Sequence, residues 1–231
     1  MKSWSAMFVG VLIILLAGTA AAKEVPKLKT EKEKRSYAIG MDFGTVLKKM
    51  SVELDPKLLD QGLRDAMSGG KTMMTPDELR ETLTSLQKEL KEKEAKTMQK
   101  IADKNGKEGE AFLANNKTKE GVVTLASGLQ YKILKAGEGN KPTSDNTVEC
   151  HYKGTLIDGT EFDSSYRRGQ PVSFAVKGVI SGWTEALQLM PVGSKWQLFI
   201  PAKLAYGDQV AGPRIGPNST LLFEVELLGI K

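Results

Sequence analysis

Between residues 115 and 120 the spacing of apolar side chains changes, and the change limits what this chain can fold into. Upstream, apolar residues recur three and four positions apart, as on one face of a helix. Downstream they alternate with polar residues, in short runs cut by Gly and Pro. Those runs are Leu129-Tyr131-Ile133, Val148-Cys150-Tyr152, Trp196-Leu198-Ile200 and Leu221-Phe223-Val225-Leu227. The turns between them fall at Gly137-Glu138-Gly139, Asp158-Gly159, Pro191-Val192-Gly193 and Gly216-Pro217. Alternation of this kind predicts an antiparallel sheet with one face buried. A single helical segment fits among the strands, Gly182 to Met190, with Trp183, Ala186, Leu187 and Met190 sharing a face. An antiparallel sheet wrapped on one short helix is an α+β domain, expected over residues 120–231.

The segment 75–115 reads as one long connecting helix. Thr75-Pro76-Asp77-Glu78 matches a capping box with Pro at the first helical position. Leu79, Leu83, Leu86 and Leu90 then share a face. Beyond them the face weakens to Ala95, Met98, Ile101 and Ala102 among many Lys and Glu, so residues 91–110 are expected to be solvated and held by i,i+4 ion pairs. At 1.5 Å per residue the helix would span about 55–60 Å and act as a spacer, with Gly106 and Gly109 as the expected bends. Residues 23–74 predict two shorter helices. The first carries Tyr37, Ile39, Met41, Phe43 and Val46 around most of its circumference. The second opens at Asp55-Pro56, carries Leu58, Leu59, Leu63, Ala66 and Met67, and stops at Gly69-Gly70. Two short helices enclose little core, so their apolar surplus should meet something else. A second copy of the chain makes 23–74 an all-α dimerisation region; packing against the C-terminal domain is the alternative.

The amino terminus reads as a secretory signal peptide over 1–22. Lys2 precedes an apolar run from Met7 to Ala17, and Ala20-Ala21-Ala22 supplies small residues for cleavage. The run is shorter than the ~20 residues of a spanning helix, so no spanning segment is expected after cleavage. Export to the periplasm or cell envelope follows, with outer-membrane association or secretion as variants. Basic residues number 33 against 28 acidic, but they are interspersed and form no stripe of the kind that binds nucleic acid. One Cys, Cys150, permits no intramolecular disulfide, and with one His, His151, it excludes a Cys/His metal cluster. His151 alternates out of phase with Cys150 and Tyr152 and is read as structural. Cys150 faces inward as a small hydrophobe. No metal and no cofactor is expected.

The carboxy-terminal motifs are more specific. Cys150-His151-Tyr152-Lys153-Gly154-Thr155-Leu156 and Asp158-Gly159-Thr160-Glu161-Phe162-Asp163-Ser164-Ser165 resemble the opening signature of the FKBP domain. Val179-Ile180-Ser181-Gly182-Trp183, Leu204-Ala205-Tyr206-Gly207 and Leu221-Leu222-Phe223-Glu224-Val225-Glu226-Leu227 follow in that family's order. The match covers about residues 125–230. The leader, the Met-bearing helices and the charged helix resemble, more narrowly, the bacterial macrophage infectivity potentiator (Mip) group. Phe112-Leu113-Ala114-Asn115 and Gly128-Leu129-Gln130-Tyr131-Lys132 strengthen that match.

The resemblance implies a peptidyl-prolyl cis/trans isomerase acting on proline-containing polypeptides, inhibitable by a macrolide of the rapamycin type. It implies a pocket of Tyr152, Phe162, Asp163, Val179, Ile180, Trp183, Tyr206 and Phe223. Trp183 would be the floor, and Phe162 and Phe223 walls. The Ile180 N–H and the Tyr206 hydroxyl would donate to the bound ligand, and Asp163 would belong to a polar group with Tyr152 and Arg168. Two departures, Val172 and Ala211 in place of larger residues, predict a more open pocket on that side. Two further classes compete with catalysis: a non-catalytic binder of unfolded chains and an adhesion scaffold. The joint presence of Asp163, Ile180, Trp183 and Tyr206 favours the enzyme, since a scaffold needs only generic core residues there.

Overall fold

Three helices precede seven strands, as the change in spacing requires. The computed structural model describes residues 27–50 and 52–231; the expected leader at 1–22 lies outside the described residues. The chain divides into two compact units at Met73/Met74.

The first unit holds α1 (Glu31–Met50) and α2 (Pro56–Ser68). Asp55 caps α2 by accepting from the Lys57 and Leu58 backbone N–H groups at 2.8 and 3.3 Å, and Gly69 closes it in the left-handed conformation. Neither helix has a buried residue. Ile39 is 71% exposed and Met67 81%, values that suit lysines better than these side chains.

The second unit begins with α3 (Pro76–Asn116). Both halves of its capping box are formed. The Glu78 N–H donates to Thr75 Oγ1 at 3.2 Å, and the Thr75 N–H donates to Glu78 Oε2 at 2.8 Å. Forty-one residues span about 60 Å. The helix runs unbroken through Gly106 and Gly109, and its later half is not merely solvated: Ala102 and Gly109 are buried within 91–110, and Asn116 beyond it. A Cβ on Gly109 would stand 2.3 Å from Thr220 Oγ1, so this glycine permits a close crossing where a bend was expected. Phe112 meets Phe199 at 6.0 Å, and the Asn116 amide donates to Gln130 Oε1 at 3.0 Å.

The strands are β1 (Val122–Thr124), β2 (Gln130–Lys135), β3 (Thr147–Leu156), β4 (Glu161–Ser164), β5 (Val172–Ala175), β6 (Lys195–Ile200) and β7 (Leu221–Ile230). They form one antiparallel sheet ordered β1-β2-β6-β7-β3-β4. The outer edge of β3 is shared: β5 pairs its first half and β4 its second. The four-residue α4 (Ser165–Arg168) follows β4, and α5 (Ser181–Leu189) crosses the concave face. Trp183, Ala186, Leu187 and Met190 all turn into the core, as their spacing predicts. They meet Val148, Leu198, Val225 and Leu227, each fully buried. Full burial of one Leu or Val contributes about 1.5–3 kcal/mol, so this face accounts for much of the domain's stability. Gly182 lets α5 come close, since a Cβ there would lie 2.6 Å from Ile200. The opposite face is covered at β2 and β6 by the end of α3, which buries Gln130 and Phe199. Ile133, expected to be inward-facing, lies near the sheet edge and is half exposed.

Candidate active site

The long β3 and β7 strands, the short β4 and the start of α5 place four aromatic rings around one point. Tyr152 on β3 and Phe223 on β7 point inward, and Trp183 rises from the first turn of α5. Edges meet faces at Trp183, which lies 5.2 Å from Phe223 at 82° and 5.4 Å from Tyr152 at 88°. Phe162 on β4 meets Phe223 at 5.4 Å and 81°. Such edge-to-face pairs are the favoured geometry of aromatic quadrupoles. Gly154 makes them fit, because a Cβ there would stand 2.5 Å from Phe162 and 2.8 Å from Phe223.

These rings do not close on one another. They line a cleft of about 930 Å³, to which Asp163, Val179, Ile180 and Tyr206 also contribute. Trp183, 3% exposed, is its floor. Of the nine residues expected at the site, eight line this cleft. The ninth, Arg168, sits just outside and reaches the site through Tyr152 and Asp163.

The motif Asp163-Ser164-Ser165 divides its work by position. Ser164 caps α4 by accepting from the Arg167 N–H at 3.3 Å. Ser165 ties α4 to β3, its Oγ accepting from the Tyr152 N–H at 2.7 Å. Gly169, left-handed at φ 75°, ends α4 after one turn. Arg168 is thereby carried over the Tyr152 ring, 5.5 Å from its centre. Asp163 is then fully engaged. The Tyr152 hydroxyl donates to Asp163 Oδ2 at 2.5 Å, Arg168 donates to Oδ1, and the Ser164 N–H donates to Oδ1 at 2.8 Å. Arg168 also donates to the Tyr152 oxygen at 2.7 Å. Burial works to raise the Asp163 carboxyl, but hydrogen bonds from Tyr152, Arg168 and Ser164 outweigh it and hold the group below its ordinary value. Burial, with the neighbouring carboxylate, pushes the Tyr152 hydroxyl up. Asp163 is therefore ionised and Tyr152 protonated at neutral pH. Neither is poised to exchange a proton with a substrate.

Both donors that the resemblance implies are uncommitted, as is the buried Trp183 indole N–H. The Ile180 backbone N–H, just ahead of α5, makes no hydrogen bond within the chain. The Tyr206 hydroxyl makes none either, and Tyr206 is 43% exposed at the cleft rim. Among the described residues no group of three His, Cys, Asp or Glu could hold a metal ion. Cys150 is buried and its thiol is pushed up to about 12, first by burial and then by Glu149. His151 stacks on Tyr166 at 4.7 Å on the other face of the sheet, away from the cleft.

Sequence reasoning missed Phe174, which lines the cleft and meets Trp183 at 5.5 Å. The alternation Val172-Phe174-Val176 was its signal. It also missed Arg214, whose Nη1 donates to the Glu161 carbonyl at 2.5 Å across the cleft mouth; nothing local marks it. Ala211 lines the cleft as expected, whereas Val172 pairs with Cys150 on β5 and is not part of the lining.

Known proteins match along nearly the whole chain. Residues 138–228 match the family described as FKBP-type peptidyl-prolyl cis-trans isomerase, and residues 32–133 match the domain amino terminal to it. "Outer membrane protein MIP" of Legionella longbeachae is 45% identical over 96% of this chain and 95% of its own. "Peptidyl-prolyl cis-trans isomerase Mip" of Coxiella burnetii is 46% identical over 94% of each. The crystal structure of FkpA from Escherichia coli superposes with a TM-score of 0.70 at 39% identity, covering 89% of this chain and 99% of that one.

Proposed function

The chain belongs to the FKBP-type peptidyl-prolyl cis-trans isomerases, in the group that carries the helical amino-terminal domain, and from that premise we propose how its cleft catalyses the reaction and where it acts. Rotation about an X-Pro bond needs no nucleophile. It needs the C–N bond to give up its partial double-bond character, against an uncatalysed barrier of ~18–20 kcal/mol. The proline ring enters between Phe162, Phe223 and Tyr152 and rests on Trp183. Water stabilises the planar, polar amide by hydrogen bonding to its carbonyl, so a dry aromatic site removes help from the ground state. The Ile180 N–H and the Tyr206 hydroxyl then receive the peptide, both being unoccupied at the cleft wall. Asp163 fixes the Tyr152 ring and Arg168 at the cleft wall. The observation that carries this reading is a cleft rich in aromatic rings whose one carboxylate is fully hydrogen-bonded and ionised.

The same reading extends to partners and place. The apolar side chains exposed on α1 and α2, among them Tyr37, Ile39, Phe43, Leu58, Leu63 and Met67, have no buried neighbours on either helix to cover them. A homodimer through residues 23–74 covers them. The leader-like residues 1–22 direct the chain to the cell envelope, where exported proteins folding with slow X-Pro bonds are its substrates. No helix among the described residues is long and apolar enough to cross a membrane. A rapamycin-type macrolide should occupy the cleft in place of proline.

A prolyl tetrapeptide assay tests the cleft. Asp163→Ala strands the Tyr152 hydroxyl and Arg168 and should lower kcat/KM on the order of ten- to a hundredfold. Wild-type turnover in that variant, or no competition between macrolide and peptide, would remove this mechanism. If both proteins left isomerisation unaccelerated yet suppressed aggregation, the binder reading would replace it.

A further inference from the structure

One wall of the cleft has a second side. Gly212, Pro213, Arg214 and Ile215 line the cleft, and the same four residues line a smaller cavity of about 330 Å³ toward α3, with Met98, Ile101 and Asn105 opposite. The wall is one chain thick, with the candidate proline site in front and unfilled space behind. Ile215 and Ala211 pack on the core, but the rest of the wall has little behind it, so hydrogen bonds carry much of its positioning.

Several ties lie within the wall or on the sheet side. The Asn218 N–H donates to the Gly207 carbonyl at 2.7 Å, the Ala211 N–H to the Ile215 carbonyl at 2.9 Å, and Arg214 to Glu161. The tie from behind comes from α3. Asn105 Nδ2 donates to the Pro217 carbonyl at 2.8 Å and lies 3.3 Å from Ser219 Oγ. Ser219 Oγ in turn donates to the Gly216 carbonyl at 2.8 Å. Asn218, at φ 56°, is the one non-glycine residue in the left-handed region among those described, and it turns the chain between these two contacts. Gly216 lets the helix approach: a Cβ there would stand 3.1 Å from Asn105 Nδ2 and 3.3 Å from Ile101.

We propose that Asn105 is a positioning residue of the isomerase, through which α3 holds the loop 207–219 against bound substrate. The proposal rests on the cleft being the proline site. It gives α3 a part in catalysis that a spacer would not have.

The test uses the intact chain and a prolyl tetrapeptide, well below the melting temperature. Asn105→Ala and Asn105→Asp should each lower kcat/KM on the order of three- to tenfold, mainly through KM, because a displaced wall weakens binding of the flanking residues. Hydrogen exchange at the Ala211 N–H should quicken in both. The Asp variant keeps the size of Asn but sets a carboxylate against the Pro217 carbonyl, so a space-filling role would be spared by it and the clamp would not. Alanine favours a helix more than asparagine does, so Asn105→Ala should not weaken α3 itself. Gly216→Ala crowds the same amide from the other side and should act in the same direction, more weakly. Wild-type KM and Ala211 exchange in both Asn105 variants, with Trp183→Leu inactive, would overturn the clamp while leaving the cleft reading intact. A fully active Trp183→Leu would overturn both.

Discussion

The sheet domain and the two amino-terminal helices are built from similar apolar residues and use them in opposite ways. In the sheet domain Leu187, Leu198 and Leu227 are fully buried, and a group of aromatic rings lines one cleft. On α1 and α2 nothing is buried, and Ile39, Phe43, Leu58 and Leu63 lie in the open. A domain with its own core can spare a few aromatic faces for a ligand. A pair of helices without one leaves its apolar surface open, and the proposed dimer would cover it. On the proposed reading, exposed apolar surface marks a site in one region and a dimer face in the other.

Breaking the core side of this contrast should have the largest effect. Phe223 is 7% exposed yet touches Phe162, Trp183 and Tyr152, so it serves core and cleft together. Phe223→Ala should cost about 3–5 kcal/mol of stability in denaturant titration and abolish most turnover. Retained stability would mean that the ring belongs to the cleft only. Gly154→Ala is a milder probe, forcing a methyl against Phe162 and Phe223. It should destabilise by about 1–3 kcal/mol and lower kcat/KM, since the rings it displaces are the walls. Unchanged kcat/KM in a destabilised protein would separate packing from binding.

A smaller effect concerns pH. Asp163 is held below its ordinary value, and its side chain is 39% exposed, so its contribution is modest. The stability its ionised form adds is fully present above the ordinary carboxylate pKa of about 3.9 and is lost only as pH falls through the lowered one. The melting-temperature gap between wild type and Asp163→Asn should thus stay constant from neutral pH to about pH 4.5 and close only in stronger acid. A gap closing nearer neutrality would mean that the carboxylate is not held by Tyr152 and Arg168.

What could be read from the chain alone follows from how each contact is made. Four strands and α5 announce themselves by period, and α5 lies within one residue of its expected bounds. The strands β1 and β4 have three or four residues each, too few for alternation to register, and on β5 the alternation is confined to Val172, Phe174 and the adjoining Val176. The docking of α3 was invisible for another reason. Its buried contacts come from Ala102, Asn105, Gly109 and Asn116, small or polar side chains, with Ile101 and Phe112 too widely spaced to mark a full apolar stripe. The aromatic floor and walls were legible because the motifs hold them at fixed spacing. Arg214 was not, because it reaches Glu161 across 53 residues of sequence with no local mark.

One paired measurement tests the division of labour most directly: solution mass by light scattering and tetrapeptide isomerisation, on Ile39→Asp and on Trp183→Leu. The account predicts that Ile39→Asp halves the mass and leaves turnover near wild type, while Trp183→Leu keeps the mass and loses at least about tenfold in kcat/KM. A Trp183→Leu protein that isomerises prolyl peptide at the wild-type rate would contradict it.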